Sequence, residues 1–331
     1  MANMANICPY DCFGSDEVGH TTQPPSDSSG SSENHAETLN EKQASSCSAR
    51  NISKIGNETP RDKSCGVLAF HPYTEQSLLL HVKNNLLPQS QEAATQNIDH
   101  SPSNAVLHLI DDFCLSRHWM MHMGPQKGAI VLGALEKSIM LYRQQKSSQH
   151  PFVAVELGTY CGYSAIMIAE RLRQEFSPFG SPLLDSSGFH VYTYEVNEMF
   201  ARIAEEFLAL SGLKSFVSVV LLHRSNAALS VHQSSRSHVN FLFVDHDKDA
   251  YLEDVQSFEN LNLLRPTSVV CADNVIFANI SNYTKYMKEK QQKGYVQTET
   301  LSSLVEYCTD DDVTEFGLDR LQDGVEVTIY L

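Results

Sequence analysis

Hydrophobic positions along the chain change rhythm twice. Over residues 74–142 large apolar residues recur every three or four positions, the spacing of helices with one buried face. The first such stretch, carrying Leu78, Leu79 and Val82, is expected to end near Pro88. A second carries Val106, Leu107, Leu109, Ile110, Phe113 and Cys114. A third runs from about Lys127 through Ile130, Val131, Leu135 and Ile139 to Tyr142. From Phe152 onward short apolar runs alternate with helical stretches. Strands are expected at 152–157, 190–194, 217–222, 240–244 and 268–272, with helices at 164–176, 198–210, 226–231 and 253–264. A helix near 283–290 then precedes strands near 295–301 and 325–330. Strands separated by helices predict an α/β fold, a mostly parallel seven-stranded sheet with helices on both faces. The last two strands, with no helix expected between them, predict an antiparallel hairpin at one end.

Residues 1–70 lack this patterning. They are rich in Ser and Asn, with Pro24-Pro25 and few large apolar side chains, so they bury too little surface to offset the entropy of ordering. The expected organisation is a disordered tail over 1–70 and one folded domain over 71–331. A formal net charge of −16 argues against a nucleic-acid partner or an anionic membrane surface. No apolar run approaches the ~18 residues a membrane span needs, and the first residues carry no secretory signature. The eight cysteines form no C-x-x-C pair, and Cys161 and Cys271 read as small buried thiols. A cytoplasmic, monomeric protein is expected.

Candidate chemistry gathers where strands end. Glu-Leu-Gly-Thr-Tyr-Cys-Gly at 156–162 joins the first strand to its helix. Gly158 and Gly162 allow a tight turn and close approach of backbone to a ligand. The pattern is not G-x-G-x-x-G, so a nicotinamide-dependent oxidoreductase is disfavoured, and a phosphate-free ligand such as S-adenosylmethionine fits better. Glu195 ends the second strand, where a carboxylate can accept hydrogen bonds from ribose hydroxyls; a solvated loop carboxylate is the other reading. Asp245 follows the fourth strand, and Asp273 and Asn274 follow the fifth. Two carboxylates and an amide oxygen make a hard, incomplete site that suits Mg2+. Lys248, three residues past Asp245, could act as a base if partly desolvated, or could only pair with Asp247 or Asp249.

Four segments in this order resemble the catechol O-methyltransferase family. They are Trp-Met-Met-His-Met-Gly-Pro-Gln-Lys-Gly at 119–128, Glu-Leu-Gly-Thr-Tyr-Cys-Gly-Tyr-Ser at 156–164, Asp245-His246 with Lys248-Asp249, and Ala-Asp-Asn-Val-Ile at 272–276. The resemblance covers roughly residues 73–331 and implies a Rossmann-like class I methyltransferase fold. It implies that Asp245, Asp273 and Asn274 bind Mg2+, that Lys248 deprotonates one hydroxyl of a catechol, and that Glu306 holds the other. Glu195 would bind the ribose of S-adenosylmethionine, and Ser164 with the backbone near Met123 and Gly158 its methionine end. Tyr160 and Met121 would flank the sulfonium, Trp119 would wall the substrate ring, and Glu156, Val196, Ser225, Asp245 and His246 would complete the cofactor site.

The chain departs from the family at several points. Asp247 replaces the family's tryptophan, Ala278 a proline that helps Trp119 grip the ring, and Leu-His-Arg-Ser at 222–225 the adenine-contacting residues. The run 245–251 looks like that of related cation-dependent phenylpropanoid methyltransferases, and His122-Met123-Gly124-Pro125 like transmembrane-type catechol methyltransferases. Two functions follow: Mg2+-dependent methylation of a small-molecule catechol, or a catalytically weak protein of this fold serving as a binding or scaffolding partner.

Overall fold

The computed structural model describes residues 73–93, 101–145, 150–176, 188–222, 227–235 and 238–331, with the side chains of the first stretch described as far as residue 86. The expected tail over 1–70 lies outside them, as do its boundary and Ser225. Three helices come first: α1 (Thr74–Ala93), α2 (Pro102–Ser116) and α3 (Gly124–Gln144). Then come β1 (Phe152–Leu157), α4 (Tyr163–Phe176), β2 (Phe189–Glu195), α5 (Glu198–Leu210), β3 (Val217–Leu221), α6 (Ala227–Ser235) and β4 (Phe241–Val244). A single 3-10 turn (Lys248–Ala250) leads into α7 (Tyr251–Asn260), β5 (Val269–Ala272), α8 (Ser281–Gln292) and β6 (Val296–Leu304). Two short helices, α9 (Asp310–Phe316) and α10 (Leu318–Leu321), precede β7 (Gln322–Tyr330).

The strands form one sheet in the order β3-β2-β1-β4-β5-β7-β6. The first five are parallel, and β7 runs antiparallel to both β5 and β6. In β1 every residue is buried, and alternate side chains enter different cores. Phe152 and Ala154 join the layer under α1–α5, while Val153, Val155 and Leu157 join Tyr251, Val255 and Phe258 of α7 and Tyr283 and Met287 of α8. A strand covered on both faces has no need of polar residues, which is why β1, β4 and β5 read as unbroken apolar runs.

Two expectations need correction. Helix α1 does not stop near Pro88 but continues to Ala93. A proline removes one N–H and crowds one carbonyl, a penalty that the remaining hydrogen bonds of a 20-residue helix can absorb. The last two strands do pair antiparallel, yet α9 and α10 lie between them. Thr309 and Asp312 form a capping box at the start of α9, and three aspartates in its first turn favour the helix dipole. That acidic run reads as loop by hydrophobic spacing alone.

The chain builds outward from β1 through β2 to β3, then crosses back to β4 and β5. The reversal lies between β1 and β4, and a crevice at the carboxyl ends of these strands is the place where open α/β sheets bind ligands.

Candidate active site

Both halves of the site grow from that crevice. After β1 the chain turns through Gly158 (φ 96°) and Tyr160 (φ 46°) into α4. A β-carbon built at Gly158 would lie 2.2 Å from the carbonyl oxygen of Asp245. The glycine loop therefore rests directly on the backbone that follows β4. Thr193 of β2 donates its hydroxyl to Glu156 Oε2 and shares a second hydroxyl contact of 2.5 Å with Thr159. Ser164, at the head of α4, lies beside the Glu156 carboxyl. Glu195 Oε2 accepts the Tyr160 N–H at 2.8 Å, while its Oε1 accepts the N–H groups of Val196 and Asn197 at 2.8 and 2.9 Å. Glu156 and Glu195 thus face the same turn from neighbouring strands. The Val196 side chain is 54% exposed, so its contribution here is its backbone.

The Tyr160 phenol donates to Glu75 Oε1 on α1 at 2.8 Å, and its ring lies 4.9 Å from that of His122. Met123 is buried beside His122, and Met121 is half-buried against the same core. Burial pulls the His122 imidazole down to about 3, so the ring is neutral at physiological pH.

Glu156 is fully buried, and burial pushes its pKa up to about 8, with Asp245 and Glu195 adding to the rise and Ser164 and Thr193 opposing it. The folded chain then holds this proton over pH values at which the unfolded chain has lost it. Stability from this group is present below pH ~4.5 and is lost as pH rises towards 8. In ligand-free protein, the stability of Glu156→Gln relative to wild type should rise on the order of 4 kcal/mol from pH ~5 to pH ~8. Urea midpoints across that range would show it; parallel wild-type and variant curves would mean that Glu156 ionises like an exposed carboxylate.

The second half follows β4 and β5. Val244 and Ala272 are register partners, and the Asp273 N–H donates to the Val244 carbonyl at 3.0 Å, so Asp245 and Asp273 leave the sheet side by side. Lys248 Nζ lies 2.7 Å from Asp245 Oδ1 and 2.8 Å from the Tyr251 hydroxyl. Asp245 is therefore an ion-pair partner of Lys248. Asp247 instead accepts the Asp249 N–H and caps the Lys248–Ala250 turn. His246 is held by Asp254 at 2.7 Å and lies nearly parallel to the Tyr251 ring. Asn274 takes the left-handed conformation (φ 57°), one that asparagine tolerates. Its Nδ2 donates to Glu306 Oε1 and Asp323 Oδ2, both at 2.8 Å, which turns Oδ1 away from these carboxylates. The Trp119 indole donates to the Glu306 carbonyl at 2.9 Å, bringing the only tryptophan of the chain beside Glu306. At Ala278 the backbone N–H donates to the Asn274 carbonyl at 3.0 Å, a bond that a proline could not make.

A methyltransferase-domain family model matches residues 155–275. The chain is 28% identical to catechol O-methyltransferase of Bos taurus over 255 residues, covering 75% of this chain and 80% of that protein. It is 28% identical to catechol O-methyltransferase B of Danio rerio over 270 residues, 80% of this chain and 86% of the other. A protein named as a probable O-methyltransferase in Mycobacterium tuberculosis is 31% identical over 222 residues, 66% of this chain and 82% of that one. The chain belongs to the catechol O-methyltransferase-like family. Its sheet is accordingly the Rossmann-like class I methyltransferase sheet, with the strand order given above.

Within this family site the charge balance is informative. Asp245, Asp273, Glu306 and Asp323 face Lys127 and Lys248, four carboxylates against two ammonium groups. Burial pushes the Asp273 pKa up to about 7, with Lys127 opposing the rise and Asp245, Glu306 and Asp323 adding to it. Asp245 is raised by the same desolvation, against the pull of Lys248. A divalent cation would offset this surplus of carboxylates over ammonium groups, and Asp245, Asp273 and the Asn274 amide oxygen are hard donors that could hold one such as Mg2+. Among the described residues, no helix is long and apolar enough to cross a membrane.

Sequence reasoning missed Lys127 and Asp323. Lys127 is 1% exposed, and its Nζ reaches Asp273 at 3.0 Å and Glu306 and Asp323 at 2.5 Å each. Burial works against the Asp323 carboxylate, but Lys127 beside it brings its pKa below the usual carboxylate range. A signal for Lys127 existed. It stands on the buried stripe of α3 with Val131, Ala134, Leu135 and Ser138, where a lysine needs an internal partner. Asp323, the second residue of β7, carried no comparable signal.

Proposed function

We propose that the protein methylates one hydroxyl of a catechol-type diol, using S-adenosylmethionine and Mg2+, with Lys248 as the general base. The observation that carries this reading is the convergence of Lys248, Asp245, Asp273, Asn274 and Glu306 on one sheet edge, next to a glycine loop that touches Asp245. S-adenosylmethionine supplies a methyl group already activated by its sulfonium. The chain's own residues position and deprotonate. Glu195 would hold the ribose and Ser164 and Glu156 the methionine end, with Met121, Met123, Tyr160, Val196 and His246 around them. Asp245, Asp273 and Asn274 would hold Mg2+, whose charge lowers the pKa of a bound diol oxygen.

Lys248, as the neutral amine that a cation bound beside it would favour, takes the proton from that hydroxyl to become an ammonium, and Glu306 accepts a hydrogen bond from the neighbouring hydroxyl. Trp119, fixed by its bond to the Glu306 backbone, would cover the aromatic ring. With acceptor and donor held in line, positioning supplies most of the acceleration. Ser225 lies outside the described residues, and its part in adenine binding remains an expectation of the resemblance. Retention of the base, Glu306 and the metal donors disfavours the scaffolding alternative, since a binding protein needs none of them.

The test is methyl transfer from labelled S-adenosylmethionine to catechol with Mg2+ or with chelator, beside a monophenol. Transfer to the diol only, falling at least about 100-fold in chelator, is the expected result. Equal transfer with chelator, or none to any diol despite cofactor binding, would overturn the reading.

A further inference from the structure

We propose that Lys127 is a built-in cation that fills the space between Glu306 and Asp323, and so confines a divalent metal to the Asp245, Asp273 and Asn274 side of the site. This inference rests on the metal-dependent reading above.

An ammonium group has three N–H donors and no acceptor. Lys127 finds three carboxylates: Asp273 at 3.0 Å, and Glu306 and Asp323 at 2.5 Å each. Every donor is spent, and at 1% exposure the side chain has no solvent to move into. One oxygen from each of these carboxylates lies within 4.8 Å of the others. Oxygens on opposite sides of a divalent ion bound at 2.0–2.6 Å are separated by roughly that distance. The position of Nζ is thus one that a metal could take if the lysine were absent.

Such a metal would interfere in two ways. It would draw in Asp273, which the proposed Mg2+ site shares, and it would occupy Glu306, the carboxylate proposed to meet the second hydroxyl. Lys127 prevents both because it is covalently fixed to α3 and sets a positive charge among the carboxylates without leaving an open coordination position. Asn274 shows the complementary half of the design. Its Nδ2 also points at Glu306 and Asp323 at 2.8 Å, so the amide oxygen faces the other way. Two donors, one ammonium and one amide, claim the Glu306–Asp323 side. Asp323 in turn accepts the N–H groups of Phe277 and Gly324 at 3.0 and 2.7 Å, which fixes it to the backbone.

The experiment is Mn2+ titration of the full-length protein by calorimetry and paramagnetic resonance, without cofactor or substrate. Wild type should bind one ion. Lys127→Met should bind a second ion, or one ion at least about tenfold tighter, while methyl transfer falls. A residue with only a structural role would instead weaken metal binding and turnover together. Unchanged stoichiometry and affinity, or weaker binding, in Lys127→Met would overturn the proposal. Absence of Mn2+ binding to wild type would overturn the metal-dependent reading itself. Should Lys127→Met be unfolded in chelator, folding on addition of Mn2+ supports the proposal. The double variant Lys127→Met with Asp323→Asn removes one carboxylate of the alternative site and should return to one ion. If the double variant folds while Lys127→Met stays unfolded at every Mn2+ concentration, the proposal is also overturned.

Discussion

Gly158→Ala should abolish cofactor binding and lower the stability of the fold on the order of 4 kcal/mol. Two costs combine. At φ 96° an added side chain is strained, about 1–2 kcal/mol by the usual cost of left-handed backbone. The new β-carbon would also meet the Asp245 carbonyl oxygen at 2.2 Å and the carbonyl carbon at 2.7 Å. These are backbone atoms that no rotamer change can move. Overpacking of this kind adds about 1–3 kcal/mol or more, against a total stability of ~5–15 kcal/mol. Relief would require parting the β1 and β4 loops, which separates the proposed cofactor turn from the proposed metal donors. Gly212→Ala is the control, because Gly212 has φ 72° but nothing within 4 Å of its added β-carbon. It should cost only about 1–2 kcal/mol. Equal losses for the two variants by urea denaturation would show that the contact with Asp245 is unimportant.

Lys248→Met should reduce kcat by about 10²–10⁴-fold, the usual worth of a general base, with S-adenosylmethionine affinity unchanged. Lys248 is held by Asp245 at 2.7 Å and Tyr251 at 2.8 Å, and only 8% of it is exposed. Removing it also leaves Asp245 without its ammonium partner. Loss of one member of a buried pair costs about 3–5 kcal/mol, so the variant should be markedly less stable in chelator. Mg2+ should restore part of that loss if Asp245 is a metal ligand. Turnover that survives the substitution would place the base elsewhere. A stability loss that Mg2+ does not alter would remove Asp245 from the donor set.

The substitutions at Asp247 and Ala278 gain a physical account from the same geometry. Asp247 serves as the cap of the turn that carries Lys248. A residue there is constrained by the turn that carries the proposed base. Ala278 uses its N–H to close the turn onto the carbonyl of Asn274, so proline would trade ring packing for a lost bond at a proposed metal donor.

Much of this protein was legible in its sequence because burial leaves a linear trace. Phe152–Leu157 and Glu198–Leu210 have the bounds expected from their apolar spacing, since the one is covered on both faces and the other buries one side. Asp245, Asp273 and Glu195 could be placed at strand ends for the same reason: once the strands are located, their carboxyl ends are too. Tertiary structure alone decided the rest. β7 inserts between β5 and β6, which brings Asp323 to Asn274 and Lys127 across sequence separations of 49 and 196 residues. No local period encodes such a meeting. Periodicity says which residues are buried, whereas the partner of a buried charge depends on which strand lies beside which. The sequence by itself determined the fold class, the order of the elements and the residue types at the crevice. The fold decided that Lys248 pairs with Asp245 while Lys127 takes Asp273, Glu306 and Asp323, because only the assembled sheet sets those distances.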